Sequence, residues 1–379
     1  MFLFERVFGI AIYSYFLLMT CILMAYTNVK HKTILKIYTV ILCVMGFFYL
    51  PYETADLYRT FETMDWYASI DFPQFLNDFV RTSSVPISRI LYWLVGKSGI
   101  YGLLPVISAF VSYSCIFYTI DKTQENYSIS RKNVAITLFF LMSTSMYISV
   151  IGGIRMMMAM SLIVFCFFRE SVEQKFRWWN VLLYVTAVFM HDIALILVAI
   201  RFIALVLDSK IKLVIRIVLS AFIVGVGTVM IFVFNYQIEQ VFEKIVGYIT
   251  GDNYSYIWEY MIGAIIAFTY LLIVYRFKKY KNNNDYGSLK AYNIAAVISG
   301  ILSILFCFEF SIFYRFIGHV VPLLGMPMMM VSLQESQNAV MAKKKQISFQ
   351  TILMVLSIAI FALSCTRGSL CSLKFFVLS

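Results

Sequence analysis

The sequence predicts an all-α protein, a polytopic integral membrane bundle of about 12 membrane segments. Three observations lead to this fold class. Hydrophobic residues make up 61% of the 379 positions, and only 13% of the residues are charged. The mean hydropathy is +0.82, which excludes an ordinary soluble domain. Apolar runs close to the roughly 20 residues that a helix needs to cross a bilayer recur along the whole chain.

Each apolar run is predicted to be one membrane segment, with boundaries uncertain by two to four residues. In chain order the segments are 7–26, 33–50, 100–120, 133–151, 154–168, 178–190, 193–207, 213–234, 258–276, 291–309, 315–333 and 347–364. The stretch 85–95 is too short and too polar to span, and it is predicted to be an interfacial or re-entrant helix. The first run is too long for a signal-peptide core and is expected to remain as a helix.

The loops between the segments alternate in charge. One set holds 20 lysine and arginine residues, and the longer loops on the opposite side hold 10. The richer set is 27–36, 121–132, 169–177, 208–216, 276–290 and 334–346. Positive charge favours the cytoplasmic side, so both termini are expected outside. The net charge of +11 is therefore a property of these loops, and no nucleic-acid partner is expected.

Residues 1–379 are predicted to form a single membrane domain with two large outer loops, 51–99 and 235–257. Both loops combine carboxylates with aromatic residues, a composition that suits carbohydrate through ring stacking and hydrogen bonds to hydroxyls. An ordinary solvated loop with interfacial aromatics is the alternative. Near the C-terminus, Cys365 and Cys371 could form a disulfide outside the cell or remain two thiols.

Arg155 follows two glycines that interrupt a 36-residue apolar stretch, 133–168. Gly152 and Gly153 predict a tight outer turn, after which Arg155 opens the next helix. The free N–H groups of a helix start, together with a guanidinium, favour an anion such as phosphate. An arginine that snorkels to lipid headgroups is the alternative.

His191 and Asp192 interrupt the middle of a 30-residue apolar stretch, 178–207. Both flanking loops are basic, so the stretch must cross the membrane and return. Two short helices that meet at His191 satisfy this requirement. An imidazole there could act as a general base or as a phosphate partner, or as a structural histidine. Direct pairing with Asp192 is not expected, because adjacent helical residues point about 100° apart.

Arg315 is predicted to begin a late helix at the same outer face. Glu309 and His319 lie nearby in the sequence, with His319 one helical turn further in. A second arginine at this face favours a dianionic ligand, whereas a structural ion pair between Glu309 and Arg315 is the alternative. We find no glycine-rich nucleotide loop, metal-ligand spacing or nucleophile elbow in the sequence. With these groups facing outwards, cytoplasmic nucleotides are out of reach and a lipid-linked donor is expected, without a cofactor or metal.

Three short motifs resemble one family. The motifs are Asp56-Leu57-Tyr58-Arg59-Thr60-Phe61, Ile154-Arg155 followed by Ala159, and Ala187-Val188-Phe189-Met190-His191. They are similar to the Asp/Tyr-rich first outer loop, the Leu-Arg-Gln-x-x-Ala helix start and the Ala-x-x-x-His element of the EpsG/Wzy group of polysaccharide polymerases. Phe313-Tyr314-Arg315-Phe316 resembles a late arginine-bearing helix of that group. Met156 replaces the usual glutamine.

The resemblance implies a helical, GT-C-like membrane glycosyltransferase in the bacterial inner membrane. Such an enzyme would join oligosaccharide repeat units carried on undecaprenyl diphosphate at the outer leaflet, to build O-antigen, capsule or exopolysaccharide. The leaving diphosphate needs cations, and the acceptor hydroxyl needs a base. Arg155 and Arg315 are predicted for the first role, and His191, with Asp56 as the alternative, for the second. Tyr58, Arg59 and His319 are further candidates for substrate contacts.

The partners implied by the resemblance are the lipid-linked oligosaccharide, membrane lipid and a chain-length regulator protein. Three other functions remain open. A flippase or transporter would use alternating access and polar groups at mid-membrane. A membrane O-acyltransferase would need an acyl donor from the cytoplasm. An O-antigen ligase differs from a polymerase mainly in its acceptor.

Overall fold

The structure is a computed structural model. It describes residues 2–53, 55–144, 146–175, 177–208, 257–280, 287–307, 310–334, 340–366, 370 and 373–375. The predicted outer loop 235–257, apart from its last residue, lies outside these ranges. Glu309 and Cys371 also lie outside them, and so do the two pairings predicted for these residues.

Helices account for most of the described residues. In chain order they are α1 (Phe2–Tyr26), α2 (His31–Phe47), α3 (Asp56–Ala68), α4 (Phe72–Phe75), α5 (Pro86–Ser98), α6 (Leu103–Tyr127), α7 (Arg131–Ser143), α8 (Met146–Gly152), α9 (Ile154–Ser171), α10 (Trp178–Met190), α11 (Ile193–Asp208), α12 (Ile257–Tyr280), α13 (Lys290–Leu305), α14 (Phe310–Arg315), α15 (Val321–Ser332) and α16 (Val340–Thr366). Two π-helical turns, Leu76–Val80 and Phe316–Val320, continue α4 and α14. The all-α prediction is confirmed for the part of the chain that the structure describes.

Five segments among the described residues are long and apolar enough to cross a membrane. They are Val7–Tyr26, Leu103–Tyr127, Ile257–Phe277, Ile312–Ser332 and Phe349–Thr366. Helices α7 and α8, inclined by 55° to each other, make a sixth if they count as one broken span. The chain is therefore a helical membrane protein, and the count of 12 segments stays a prediction.

The shorter apolar helices include the pair that meets at His191. Helix α10 ends at Met190 and α11 begins at Ile193, as the sequence predicts. His191 is extended, with φ of −160° and ψ of 135°. The 13 residues of α10 are about 20 Å long, which is less than the roughly 30 Å of a bilayer core. This break therefore lies within a pair of helices that are each too short to span unaided.

One end of the bundle collects the lysine- and arginine-rich loops, and we call it the basic end. The guanidinium of Arg131 donates hydrogen bonds to the Val29 carbonyl and, over 3.1 Å, to Nε2 of His31. Further contacts join Tyr127 to Ser288 at 2.6 Å, Asn133 to the Leu333 carbonyl at 2.7 Å, Lys290 to Asp208 at 2.7 Å and Arg276 to the Ser332 carbonyl at 2.9 Å. Four of the loops that charge counting grouped together thus contribute described contacts at one end of the structure.

The opposite end, which we call the site end, collects described segments of the poorer set of loops. The Leu50 amide donates to the Lys374 carbonyl over 2.9 Å, and Tyr49 forms a β-bridge with Phe375. The backbone at Gly102 lies against Phe47, and that at Gly46 lies against Ile151. Segments before α3, before α6, at the α8–α9 turn and near the C-terminus therefore meet here.

The predicted outer loop 51–99 is itself mostly helical. Leu57, Met64 and Tyr67 make the buried side of α3, and their spacing of seven and three residues is that of one helix face. Helix α5 packs across this face, and a Cβ atom added at Gly96 would lie only 2.6 Å from the Met64 carbonyl oxygen. The 13 residues of α5 are too few to span, as predicted for 85–95. Glycine permits the close crossing that fixes α5 on α3.

Two buried ion pairs lie near the basic end and join α9 to α10 and α11. Arg201 of α11 binds the carboxylate of Glu170 at 2.5 Å, with side-chain exposures of 11% and 6%. Tyr184 of α10 donates to the same carboxylate over 3.1 Å. Arg169 lies 3.6 Å from Glu173 and 4.2 Å above the Trp179 ring. Buried charges are tolerated when they are paired in this way.

Candidate functional site

The guanidinium of Arg155 lies over the ring of Tyr92 at the site end, and Asp56 acts electrostatically on the same tyrosine. Tyr92, on α5, is buried at 7% exposure, and the guanidinium carbon of Arg155 lies 6.0 Å from the centre of its ring. Asp56 begins α3 and acts electrostatically on the same phenol. Both Asp56 and Arg155 are exposed. An exposed guanidinium thus lies over the ring of one buried tyrosine, and an exposed carboxylate acts on that tyrosine electrostatically.

The environment of Tyr92 shows how closely these groups are coupled. Burial raises the pKa of Tyr92, while the positive charge of Arg155 and a side-chain hydrogen bond with Thr60 act to lower it. Thr60 in turn donates to the Asp56 carbonyl over 2.8 Å. Contacts from α3, α5 and α9 therefore converge on one phenol.

His191 stands at the break between α10 and α11 and caps the second helix. Its Nδ1 atom accepts a hydrogen bond from the Ile193 amide over 3.1 Å, which satisfies one of the N–H groups left free at a helix start. A neutral imidazole that accepts at Nδ1 carries its proton at Nε2. The described orientation therefore presents His191 as a hydrogen-bond donor at Nε2.

Arg155 and His191 lie at the same end of the antiparallel pair α9 and α10. The two helices are in register where Cys166 lies against the Asn180 carbonyl, with the sulfur 4.0 Å from the oxygen. From that level, equal lengths of helix, roughly 16 Å each, lead back to Arg155 and forward to His191. Helix α10 also packs against α5, which carries Tyr92. The predicted proximity of Arg155 and His191 is therefore supported at the level of helix packing.

Arg315 lies on another helix, α14. The sequence predicts that Arg315 begins a helix. In the structure this helix starts five residues earlier, at Phe310, so Arg315 is the last residue of α14. The segment packs on α12, where Phe313 lies 5.2 Å from Tyr260 between ring centres. Ser332, 17 positions after Arg315, is at the basic end, so Arg315 lies about 25 Å of helix away from that end. Arg315 thus lies towards the site end, on a segment that packs on α12 and α13, and α13 in turn packs on α9, the helix of Arg155.

His319, a predicted substrate contact, lies inside the protein. It is 1% exposed, in the π-helical turn Phe316–Val320, and its ring meets that of Tyr314 edge-on at 5.3 Å. Tyr58 is half-buried, and Arg59 is exposed beside Asp56 at 3.9 Å. Because this ion pair is exposed, at 69% and 88%, it constrains the two side chains little.

Sequence reasoning missed Tyr92 and Thr60. Tyr92 shares the buried face of α5 with Ser88 and Val95, a spacing typical of ordinary helix packing, so nothing in the sequence distinguishes it. A cavity of about 410 Å³ lies at the basic end, away from these residues. Its lining residues are Asn126, Tyr127, Val172, Glu173, Lys175 and Ser288. In the described part of the chain, no group of three or more His, Cys, Asp or Glu side chains could hold a metal ion.

Comparison with known proteins supports the resemblance seen in the motifs. No curated protein and no solved structure matches the chain. The model of one family, the EpsG family, matches residues 57–376. This match includes α3 from its second residue onwards, the α8–α9 turn, the α10–α11 break and Arg315. The chain belongs to the EpsG family.

Proposed function

We propose that this protein is a polymerase that joins oligosaccharide repeat units carried on a lipid diphosphate, undecaprenyl diphosphate, at the outer leaflet of the bacterial inner membrane. The EpsG family supports a polysaccharide polymerase of glycosyltransferase type. The basic end would face the cytoplasm and the site end the exterior, as the loop charges favour. The reaction would need no metal or nucleotide, and the products would be O-antigen, capsule or exopolysaccharide.

The observation that carries this proposal is the exposed guanidinium of Arg155 over the ring of Tyr92, a residue on which Asp56 also acts electrostatically. Glycosyl transfer from a lipid diphosphate needs positive charge where the leaving oxygen gains negative charge, and a base for the acceptor hydroxyl. Among the described residues, no carboxylate lies within 4.0 Å of the Arg155 guanidinium, so it can bind an incoming anion. Arg315 would supply a second cation, and a chain-length regulator would be a further partner.

The hydrogen bond of His191 changes the roles that the sequence favoured. A base needs a free lone pair, and the Nδ1 lone pair of His191 is used by the Ile193 amide. We therefore assign Asp56 as the base, and we assign His191 a supporting contact with a phosphate or glycan oxygen. Tyr58 and Arg59, on the same turn of α3 as Asp56, would contact the incoming sugar. His319, being buried, would act only through the helix that carries Arg315.

Deletion of the gene in its host tests the function directly. The deletion strain should accumulate single repeat units on the outer leaflet, and plasmid-borne wild-type protein should restore long chains, as measured by gel electrophoresis of extracted glycan. Long polymer made without the protein would contradict the proposal. Repeat units trapped on the inner leaflet would instead indicate a flippase, and finished polymer left on its lipid carrier would indicate a ligase.

Substitutions at His191 and Asp56 distinguish a general base from a hydrogen-bond donor. Glutamine places an N–H near the position of Nε2 but has no basic nitrogen there, so His191→Gln should keep activity within about tenfold of wild type, whereas Asp56→Asn should lose at least about 100-fold. The measurement is the rate of chain growth in the complemented deletion strain, normalised to protein in the membrane.

His191→Asn is the matched control, because its Oδ1 atom can still cap α11 but does not reach as far as Nε2. It should fold normally and lose more activity than His191→Gln. An inactive His191→Gln together with an active Asp56→Asn would assign the base to His191 instead.

A further inference from the structure

We propose that Tyr92 is a positioning residue that holds the guanidinium of Arg155 at a fixed place relative to Asp56. The inference rests on the proposed function and names a residue of the same site that carries no charge itself. Neither the motifs nor the family match singles out this tyrosine.

Tyr92 connects three helices through two different parts of its side chain. Its ring face receives the guanidinium of Arg155 on α9, 6.0 Å from the ring centre to the guanidinium carbon. Its hydroxyl group is close enough to the Thr60 side chain on α3 for that side chain to act on its pKa. Thr60 is one helical turn from Asp56 and bonds to its carbonyl. The ring face therefore contacts the candidate cation, Arg155. The hydroxyl group lies near the turn of α3 that carries the candidate base, Asp56.

Arg155 needs such a support because its own surroundings hold it loosely. It is exposed, and it follows Gly152 and Gly153, which offer no side chain. The N-cap of α9, Gly153, makes no side-chain cap hydrogen bond. A long arginine side chain has many rotamers in such a place. The attraction between the guanidinium and the aromatic face selects those rotamers that keep the charge above Tyr92.

Tyr92 can give this support because it is itself fixed. It is 7% exposed, one helical turn from Gly96, where the backbones of α5 and α3 approach so closely that an added Cβ atom would meet the Met64 carbonyl oxygen at 2.6 Å. A rigid crossing of this kind sets the height of Tyr92 above α3. Misplacement of a catalytic group by about 1 Å can reduce a rate about 100-fold, so a fixed ring beneath Arg155 has a direct effect on turnover.

The experiment compares Tyr92→Phe and Tyr92→Leu in full-length protein reconstituted in liposomes. The substrate is the lipid-diphosphate-linked repeat unit extracted from the deletion strain. Phenylalanine keeps the ring face and loses the hydroxyl, whereas leucine loses both. We expect kcat to fall about tenfold for Tyr92→Phe and about 100-fold for Tyr92→Leu, with little change in KM, because the loss concerns orientation in the transition state.

A second readout separates positioning from a merely structural role. Tyr92→Leu is also made in an Arg155→Lys background with measurable residual activity. If Tyr92 acts through Arg155, the second substitution should reduce kcat much less than it does in the wild-type background. Tyr184→Leu is the matched control, because Tyr184 also lies under an arginine, Arg201, at 4.8 Å, but far from the site. Its effect should be multiplicative with that of Arg155→Lys.

The outcomes are distinguishable. Wild-type kcat for both Tyr92 variants, or full multiplicativity of Tyr92→Leu with Arg155→Lys, would overturn the positioning role while leaving the polymerase proposal intact. No chain growth by wild-type protein in the liposomes would overturn the proposed function and, with it, this inference. If Tyr92→Leu fails to fold, Tyr92→Phe in the same two backgrounds decides the question.

Discussion

Replacement of Arg155 with alanine should abolish long-chain polymer and reduce the rate of chain growth at least about 100-fold. Removal of one preorganised donor from a developing negative charge typically costs that much or more, and a phosphate-binding arginine is often worth more still. The guanidinium is exposed, lies over the Tyr92 ring and has no carboxylate within 4.0 Å among the described residues. Polymer length and growth rate in the complemented deletion strain are the measurements.

Two further variants make the result specific. Arg155→Lys keeps the charge but loses the planar fork that binds phosphate through two hydrogen bonds, so intermediate activity is expected. Arg177 is exposed before α10, at the basic end of the same helix pair, and Arg177→Ala should have normal activity. Normal chain length with Arg155→Ala, at wild-type levels of protein, would remove Arg155 from the site.

Replacement of Glu170 with alanine should destabilise the protein by about 3–5 kcal/mol, because it leaves the buried Arg201 without its partner. The carboxylate accepts from Arg201 Nε over 2.6 Å and from the Tyr184 hydroxyl over 3.1 Å, and its side chain is 6% exposed. One substitution therefore leaves two donors on two helices without their acceptor. Thermal unfolding of the detergent-solubilised protein measures the effect.

The double variant Glu170→Leu with Arg201→Leu should recover most of this loss, since apolar side chains of similar size often replace a buried ion pair without cost. The exposed pair of Lys122 and Glu125, at 28% and 51%, is the matched control, and Lys122→Ala should leave the unfolding temperature nearly unchanged. Equal destabilisation by Glu170→Ala and Lys122→Ala would show that burial of the Glu170 pair is irrelevant to stability.

The positions of several helix boundaries could be predicted from the sequence because they follow from local constraints. His191 separates α10 from α11 since 30 apolar residues between two basic loops are too few for two full spans. The α8–α9 turn follows from two adjacent glycines. Loop charge grouped by end those loops whose residues the structure describes, because lysines and arginines are distributed by side along the chain.

Other features could not be predicted because they depend on partners distant in sequence. The sequence predicts a helix at 85–95, which is α5, but not the helix α3 earlier in the outer segment 51–99, because the apolar face of α3 is recognisable only once α5 covers it. The start of α14 at Phe310 was missed, since an apolar run does not mark its own beginning. The sequence allowed His319 to be predicted as a substrate contact. Neighbouring helices bury its side chain to 1% exposure, which the sequence does not indicate.

The sequence by itself determined the class of protein, the grouping of its loops and the costly polar residues Arg155, His191 and Arg315, because apolar length and charge are local properties. Only the tertiary structure decided how these residues are arranged. It places the guanidinium of Arg155 over the ring of Tyr92, directs the lone pair of His191 to a backbone amide and places Arg315 on a segment that packs on α12 and α13. The physical reason is that helix crossings, set by contacts such as Gly96 on Met64, decide which side chains meet.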